Sequence, residues 1–103
     1  MGTYRNKLDM IAAILNVSNH AKKTQIMYGA NLSFKGLEKY LAKVLEAALI
    51  TFEEEKQGYM LTAKGQEFLA IYHEYAKKIK LLEKRLMVVQ TMEKALNELC
   101  SIK

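Results

Sequence analysis

The C-terminal segment of this chain constrains its fold more than any other feature of the sequence. The chain contains no proline, and from Ala63 to Ile102 its only glycine is Gly65. Because proline and glycine interrupt helices most strongly, this segment predicts one helix of about 40 residues, roughly 60 Å long. Thr62, directly before the segment, is a residue type that caps helix N-termini.

Apolar side chains along this predicted helix recur with the seven-residue spacing of a coiled coil. The predicted dimerisation residues are Phe68, Tyr72, Tyr75, Ile79, Leu82, Leu86, Val89 and Leu96. The seam weakens at Glu93 and continues to Cys100. Such a seam requires a partner helix. The alternative is that the helix folds back on its own domain, but no proline, glycine pair or polar cluster after Gly65 predicts a reversal, which favours a second copy of the chain.

The residues before Thr62 predict three helices. Apolar residues at three- and four-residue steps indicate a first helix between Tyr4 and Val17, ended by Ser18-Asn19-His20. Its predicted buried residues are Leu8, Ile11, Ala12, Ile14 and Leu15. A short second helix is predicted from Thr24, as its N-cap, to the turn Gly29-Ala30-Asn31. Ser33 is predicted to cap a third helix that buries Phe34, Leu37, Leu41, Val44, Leu45 and Ala48.

A β-hairpin is predicted after the third helix. The runs 49–52 and 59–61 are short and rich in β-branched or aromatic residues, and the polar turn between them ends in Gly58. A helix-turn-helix followed by a hairpin is the arrangement of the winged helix. We therefore predict a mainly α (α+β) fold, with a winged helix-turn-helix unit over residues 1–62 and a long coiled-coil helix over residues 63–103.

Composition narrows the functional classes. The chain carries 16 Lys and Arg against 11 Asp and Glu, a formal net charge of +5, which is compatible with a polyanionic partner. One cysteine, Cys100, and two distant histidines, His20 and His73, match neither an internal disulfide nor a structural zinc site. No catalytic motif is recognisable, and no apolar stretch approaches the ~20 residues that cross a bilayer. We expect a cytoplasmic protein that is not an enzyme and has no cofactor, metal or membrane partner.

Lysines every four residues place a cationic face on the third predicted helix. Lys35, Lys39 and Lys43 are the main candidates for groove or phosphate contacts, with Ser33 at the positively polarised N-terminus. The further candidates are Lys22, Lys23, Thr24 and Gln25 at the start of the second helix and Lys56 in the hairpin turn. A merely solvated face is the alternative for the lysine row, and plain helix capping is the alternative for Thr24. Tyr40 is predicted to lie in the core, whereas the position of Tyr28 is left open.

Two stretches of the sequence carry a family resemblance. Residues 23–41, from Lys23-Thr24-Gln25 to Tyr40-Leu41, and residues 59–69, with Leu61-Thr62-Ala63-Lys64-Gly65, resemble the archaeal winged-helix proteins of the Sulfolobus 10a type. The first stretch is the more specific, and the resemblance extends from about Tyr4 onward. It implies a small basic DNA-binding protein that dimerises through an antiparallel coiled coil of the long C-terminal helix. In such a coil, centred near Lys84, two Cys100 side chains lie at opposite ends, so no intersubunit disulfide is expected.

Together these features predict a homodimer that binds double-stranded DNA through its third helix. The expected role is that of a transcription regulator or a chromatin-type, nucleoid-associated protein. The third helix contains no Arg, Asn or Gln, the residues that discriminate bases best, so a weak sequence preference is expected. Glu53, Glu54 and Glu55 in the hairpin oppose phosphate contact there. They keep open an alternative, a protein-interaction dimer on a winged-helix scaffold without DNA binding.

Overall fold

The computed structural model describes residues 5–101 and confirms the mainly helical, winged-helix order of elements over that range. In chain order the elements are α1 (Lys7–Val17), β1 (Asn19–Ala21), α2 (Lys23–Gly29), α3 (Phe34–Glu46), β2 (Ile50–Glu53), β3 (Gly58–Leu61) and α4 (Ala63–Leu99). Tyr4 and Ile102, which bound two of the predicted helical segments, lie outside the described residues.

Helix α1 begins with a reciprocal pair of hydrogen bonds. The Asp9 backbone amide donates to the Asn6 side chain at 2.8 Å, and the Asn6 amide donates to the Asp9 carboxylate at 3.0 Å. This capping box satisfies two amides that have no partner within the helix. Four of the five predicted core residues of α1 are buried, but Leu8 is exposed. The prediction for Leu8 is wrong. This residue lies in the first turn of α1, and burial begins one turn later, at Ile11.

Helix α3 buries a narrower stripe than its sequence predicts. Leu37, Leu41 and Val44 are buried, whereas three further residues predicted for the core, Phe34, Leu45 and Ala48, are exposed. At about 100° per residue, Phe34 and Leu45 lie to one side of the buried stripe. Ala48 follows the end of the helix and has a φ of 62°, so helical periodicity does not apply to it.

The three strands form an antiparallel sheet in the order β1-β3-β2. The predicted hairpin is confirmed, with Ile50 opposite Leu61 and Glu53 opposite Gly58. Strand β1 is an addition, since Asn19 and His20 were predicted only to end the first helix. Its three residues carry no apolar alternation, and its hydrogen-bonding partner is β3, far away in sequence.

Helix α4 is continuous from Ala63 to Leu99, as predicted. The Gly65 amide donates to Thr62 Oγ1 at 3.0 Å, and the Thr62 hydroxyl donates to the Ala48 carbonyl oxygen at 2.6 Å, which confirms Thr62 as the N-cap. A Cβ at position 65 would overlap the Leu49 carbonyl oxygen. Gly65 therefore permits the close approach of the first turn of α4 to the backbone before β2.

The chain divides into two units, one ending at Tyr72 and the other beginning at His73. All buried residues of the described range belong to the first unit, in which Phe68 and Leu69 of α4 pack against the core. From His73 to residue 101 no residue is buried, so this unit has no core of its own. None of the helices described here is long and apolar enough to cross a membrane.

Candidate nucleic-acid interface

Helices α2 and α3 form the helix-turn-helix, and Arg5 holds the turn between them. Its guanidinium donates to the carbonyl oxygens of Ala30 and Asn31, each at 2.8 Å. Asn31 has a φ of 54°, in the left-handed region that asparagine tolerates better than most residues. Carbonyls at a helix C-terminus lack helical partners, and a cation there is favourable. Nothing local in the sequence indicates this role, because Arg5 and its acceptors are far apart in the chain.

The first turn of α2 differs from the prediction. Lys22, not Thr24, is the N-cap, and its backbone amide donates to Gln25 Oε1 at 2.8 Å. Strand β1 ends at Ala21 and the helix begins two residues later, at Lys23, so Thr24 lies inside the first turn. The candidate residues Lys22, Lys23, Thr24 and Gln25 are nevertheless all exposed in this turn.

Helix α3 carries an exposed row of three lysines, Lys35, Lys39 and Lys43, which we call the lysine face. At about 100° per residue this row lies roughly opposite the buried stripe. The ammonium groups of Lys39 and Lys43 each lie 5.5 Å from the centroid of the Tyr40 ring, close enough for cation–π attraction. Tyr40 is half-buried and packs against the core, as predicted. Ser33 caps the helix, accepting from the Gly36 amide at 3.0 Å.

No carboxylate in the part of the chain that the structure describes forms a salt bridge with the lysine face. Over residues 5–101 the two salt bridges are Lys23–Glu38 and Lys78–Glu74, and neither involves the lysine face. The positive charge of α3 is therefore available to an anionic ligand.

Lys23 stands in a different environment from the lysine face. Its ammonium lies 2.7 Å from the Glu38 carboxylate and 5.7 Å from the centroid of the Phe34 ring. The hydrogen bond to Glu38 raises the pKa of Lys23 above its ordinary value. The pair is exposed, so solvent screens it and its contribution to stability is small. Glu38 therefore offsets the charge that Lys23 offers to a ligand. The contact joins two helices, so helical spacing within one segment cannot reveal it.

The turn of the hairpin carries both negatively and positively charged side chains. Glu54, Glu55 and Lys56 are exposed there, and Gln57 closes the turn with a φ of 51° and a hydrogen bond from its Nε2 to the Glu54 carbonyl oxygen at 2.7 Å. Behind the turn, the rings of Phe52 and Tyr59 meet edge to face with centroids 5.0 Å apart. The single cation of this turn, Lys56, therefore lies beside carboxylates that would repel phosphate.

The remaining singled-out residues lie at the surface. Tyr28, whose position the sequence left open, is 78% exposed. His20 and Cys100 are exposed, His20 with a φ of 59° in β1, and His73 is an exposed residue of α4. Within residues 5–101, no group of His, Cys, Asp and Glu side chains is placed to hold a metal ion.

The predicted dimerisation residues fall into two groups. Phe68 packs against the core, and the Tyr72 hydroxyl donates a hydrogen bond to the Asp9 carboxylate. The rings of Phe68 and Tyr72 stack with their centroids 6.3 Å apart. These two belong to the first unit. The other six lie in the second unit and are exposed: Tyr75, Ile79, Leu82, Leu86, Val89 and Leu96.

Comparison with known proteins places this architecture in a family. A family model described as winged helix-turn-helix matches residues 4–80. The chain belongs to the winged helix-turn-helix family. Among solved structures it is similar to Sso10a-2, a DNA-binding protein from Sulfolobus solfataricus, with a TM-score of 0.62 and 21% identity over 96% of this chain and 100% of that chain. This likeness confirms the fold of the Sulfolobus 10a type that the sequence resembles. A search of curated proteins found no match.

The helices and strands described above can be matched to those of the winged-helix family. The second helix of a helix-turn-helix is the recognition helix, which lies in the major groove. In this chain the second helix of the helix-turn-helix is α3, and the β2–β3 hairpin corresponds to the wing. The lysine face thus occupies the exposed side of α3.

Proposed function

We propose that this protein binds double-stranded DNA as a homodimer, through the lysine face of α3. The observation that carries the proposal is a row of three lysines on the exposed side of a recognition helix, with no carboxylate partner within residues 5–101. Lysines on such a surface neutralise phosphates and release counterions, which supplies most of the affinity of weakly specific binders. The similar protein Sso10a-2 is named as a DNA-binding protein, which supports the same ligand here.

Binding is dominated by phosphate contacts and has a weak sequence preference. Lysine contacts to phosphate position a protein on the duplex, whereas bidentate contacts from Arg, Asn or Gln specify bases. Helix α3 has none of these three residue types. The proposed role is therefore that of a chromatin-type, nucleoid-associated protein of the cytoplasm or of a transcription regulator with a degenerate site, and not that of an enzyme.

The proposed homodimer rests on the second unit. From His73 to Leu99, helix α4 buries none of its residues and exposes a long apolar row, and such a row marks an interaction surface. Because the row has heptad spacing, a second copy presents a complementary seam. The sequence resemblance supports an antiparallel arrangement of the two helices, over the predicted segment 63–103. The dimer then carries two DNA-binding units, predicted over residues 1–62, and binds bivalently.

A second candidate function follows from the wing. Glu53, Glu54 and Glu55 place three carboxylates where a DNA-contacting wing carries cations or neutral donors. Carboxylates repel phosphate and attract basic protein surfaces. The alternative is therefore a protein-interaction dimer that has the winged-helix scaffold without DNA binding.

The two candidates are separated by DNA titrations of the wild type and of a charge reversal on the lysine face. In the K35E/K39E/K43E variant, DNA affinity should fall on the order of tenfold or more, because attraction to phosphate becomes repulsion. A matched control, K77E/K84E/K94E, changes the charge equally on exposed positions of α4 outside the predicted seam. Affinity is measured by fluorescence anisotropy on one duplex, with folding verified by circular dichroism. Absence of DNA binding by the wild type would favour the protein-interaction dimer. Unchanged affinity in the folded lysine-face variant would place the DNA contact elsewhere on the protein, and equal losses in both variants would show that only total charge matters.

A further inference from the structure

Phe34 is a large apolar side chain at the start of the recognition helix that the core does not use. It is the first residue of α3, and its side chain is 65% exposed although its spacing predicts burial. The core cluster and the apolar residues packed against it do not include Phe34. The role of Phe34 therefore lies at the exposed surface of the recognition helix.

The neighbours of Phe34 hold its ring beside the cationic groups. The Lys23 ammonium lies 5.7 Å from the ring centroid, and Glu38, one turn along α3, fixes that ammonium at 2.7 Å. Ser33 caps the helix directly before Phe34, and Lys35 of the lysine face directly follows it. The exposed ring thus lies beside the Lys23 ammonium and directly before Lys35 in the first turn of α3.

The position of Phe34 on α3 determines what its ring meets when the helix lies in the major groove. Residues near the N-terminus of a recognition helix are those that contact base edges. Among the features of these edges, the thymine C5-methyl group accepts apolar contacts, including contacts from phenylalanine. The ring of Phe34 has no hydrogen-bonding atom, so the methyl group is the feature for which it is suited.

We propose that Phe34 contacts thymine C5-methyl groups and gives this protein a preference for A·T base pairs. This inference rests on the proposed binding of DNA through α3. Burying one methyl group corresponds to an affinity gain of about fourfold. A preference of that size agrees with a recognition helix that lacks the residues for bidentate base contacts.

Deoxyuridine tests this contact directly, because it lacks the C5-methyl group and keeps the hydrogen-bonding groups of thymine. The full-length protein is titrated with an A·T-rich duplex and with the same duplex in which every thymidine is replaced by deoxyuridine. Wild type should bind the thymine duplex about fourfold more tightly per contacted methyl. The F34A variant should lose this ratio, and F34L, which keeps an apolar side chain, should retain part of it. The matched control I71A removes a similarly exposed apolar side chain, 64% exposed, from α4 and should keep the wild-type ratio.

The outcomes distinguish this inference from the function on which it rests. If wild type binds both duplexes equally, the methyl contact is wrong while DNA binding stands. If folded F34A keeps the wild-type ratio, the preference arises elsewhere and the assignment to Phe34 is wrong. If wild type binds neither duplex at low salt, the proposed DNA binding itself is wrong.

Discussion

At the scale of single residues, the first unit depends on contacts between positions far apart in the chain. Arg5 bonds to the turn that follows α2, and Gly65 lets α4 approach the backbone at Leu49. Local patterns correctly predict residues whose role is fulfilled nearby, such as the N-caps Ser33 and Thr62. They miss the Lys23–Glu38 ion pair and the Arg5 contacts, because helical periodicity says nothing about which side chains of separate segments meet.

Gly65 provides the most direct test at this scale. In G65A the new Cβ would overlap the Leu49 carbonyl oxygen and lie 2.7 Å from Leu61 Cδ1, so the first turn of α4 must shift. We expect the free energy of unfolding to fall by about 1–3 kcal/mol, the usual cost of overpacking. Urea denaturation followed by circular dichroism measures the change.

The matched control for Gly65 is Gly36, a glycine in the first turn of α3. A Cβ there meets only Ser33 Oγ at 3.2 Å and Leu32 Cδ2 at 3.8 Å, so G36A should change stability much less. Equal stability of G65A and wild type would contradict the close packing of α4 against Leu49.

At the scale of elements, periodicity and turn residues predict most of what the structure contains. The long α4, the β2–β3 hairpin and the buried positions Leu37, Leu41 and Val44 of α3 follow from proline and glycine placement and from apolar spacing. Strand β1 does not, because three residues without apolar alternation become a strand only when β3 is beside them. The start of α2 at Lys23 likewise follows from the end of β1 and not from the preference of Thr24 for an N-cap position.

The contact between α2 and α3 makes a testable prediction about charge. In E38A the carboxylate beside Lys23 is removed, which frees Lys23 to neutralise a phosphate. DNA affinity should therefore rise several-fold, and the slope of log K against log salt should steepen by about 1. Anisotropy titrations at several salt concentrations measure both.

A matched control for this prediction is E67A, which removes an exposed carboxylate of α4 that has no salt bridge among the described residues. Its slope should stay at the wild-type value. An E38A variant with unchanged affinity and slope would place Lys23 away from the DNA.

At the scale of the whole molecule, the proposed dimer is what accounts for the apolar surface of α4. The second unit has no buried residue among those described, so its apolar side chains need a partner that this chain alone does not provide. The heptad spacing is visible in the sequence, but the partner and its direction depend on a second chain, which no pattern within one chain specifies.

The dimer is tested by placing charges in the seam. In L82E/L86E two predicted seam residues, 61% and 54% exposed in the single chain, become carboxylates that would lie buried at the helix contact. Burying unpaired charges is costly, so the variant should sediment as a monomer while the fold of the DNA-binding unit persists. Analytical ultracentrifugation measures the mass, and circular dichroism reports the fold.

The matched control for the seam variant is M87E/T91E, which adds the same charges at the same spacing outside the seam. Met87 and Thr91 are exposed, and this control should remain dimeric. A monomeric wild type would overturn the bivalent arrangement, and a dimeric L82E/L86E would place the interface elsewhere.

The central claim, DNA binding by phosphate contacts from the lysine face, is tested most directly by titrating the wild-type protein at several salt concentrations. One defined duplex is compared with a scrambled duplex of the same composition. We predict near-equal affinities that fall as salt rises, with a slope of log K against log salt of about −2.7 for three phosphate contacts by one DNA-binding unit. Absence of binding even at low salt, or binding that salt does not weaken, would contradict the account.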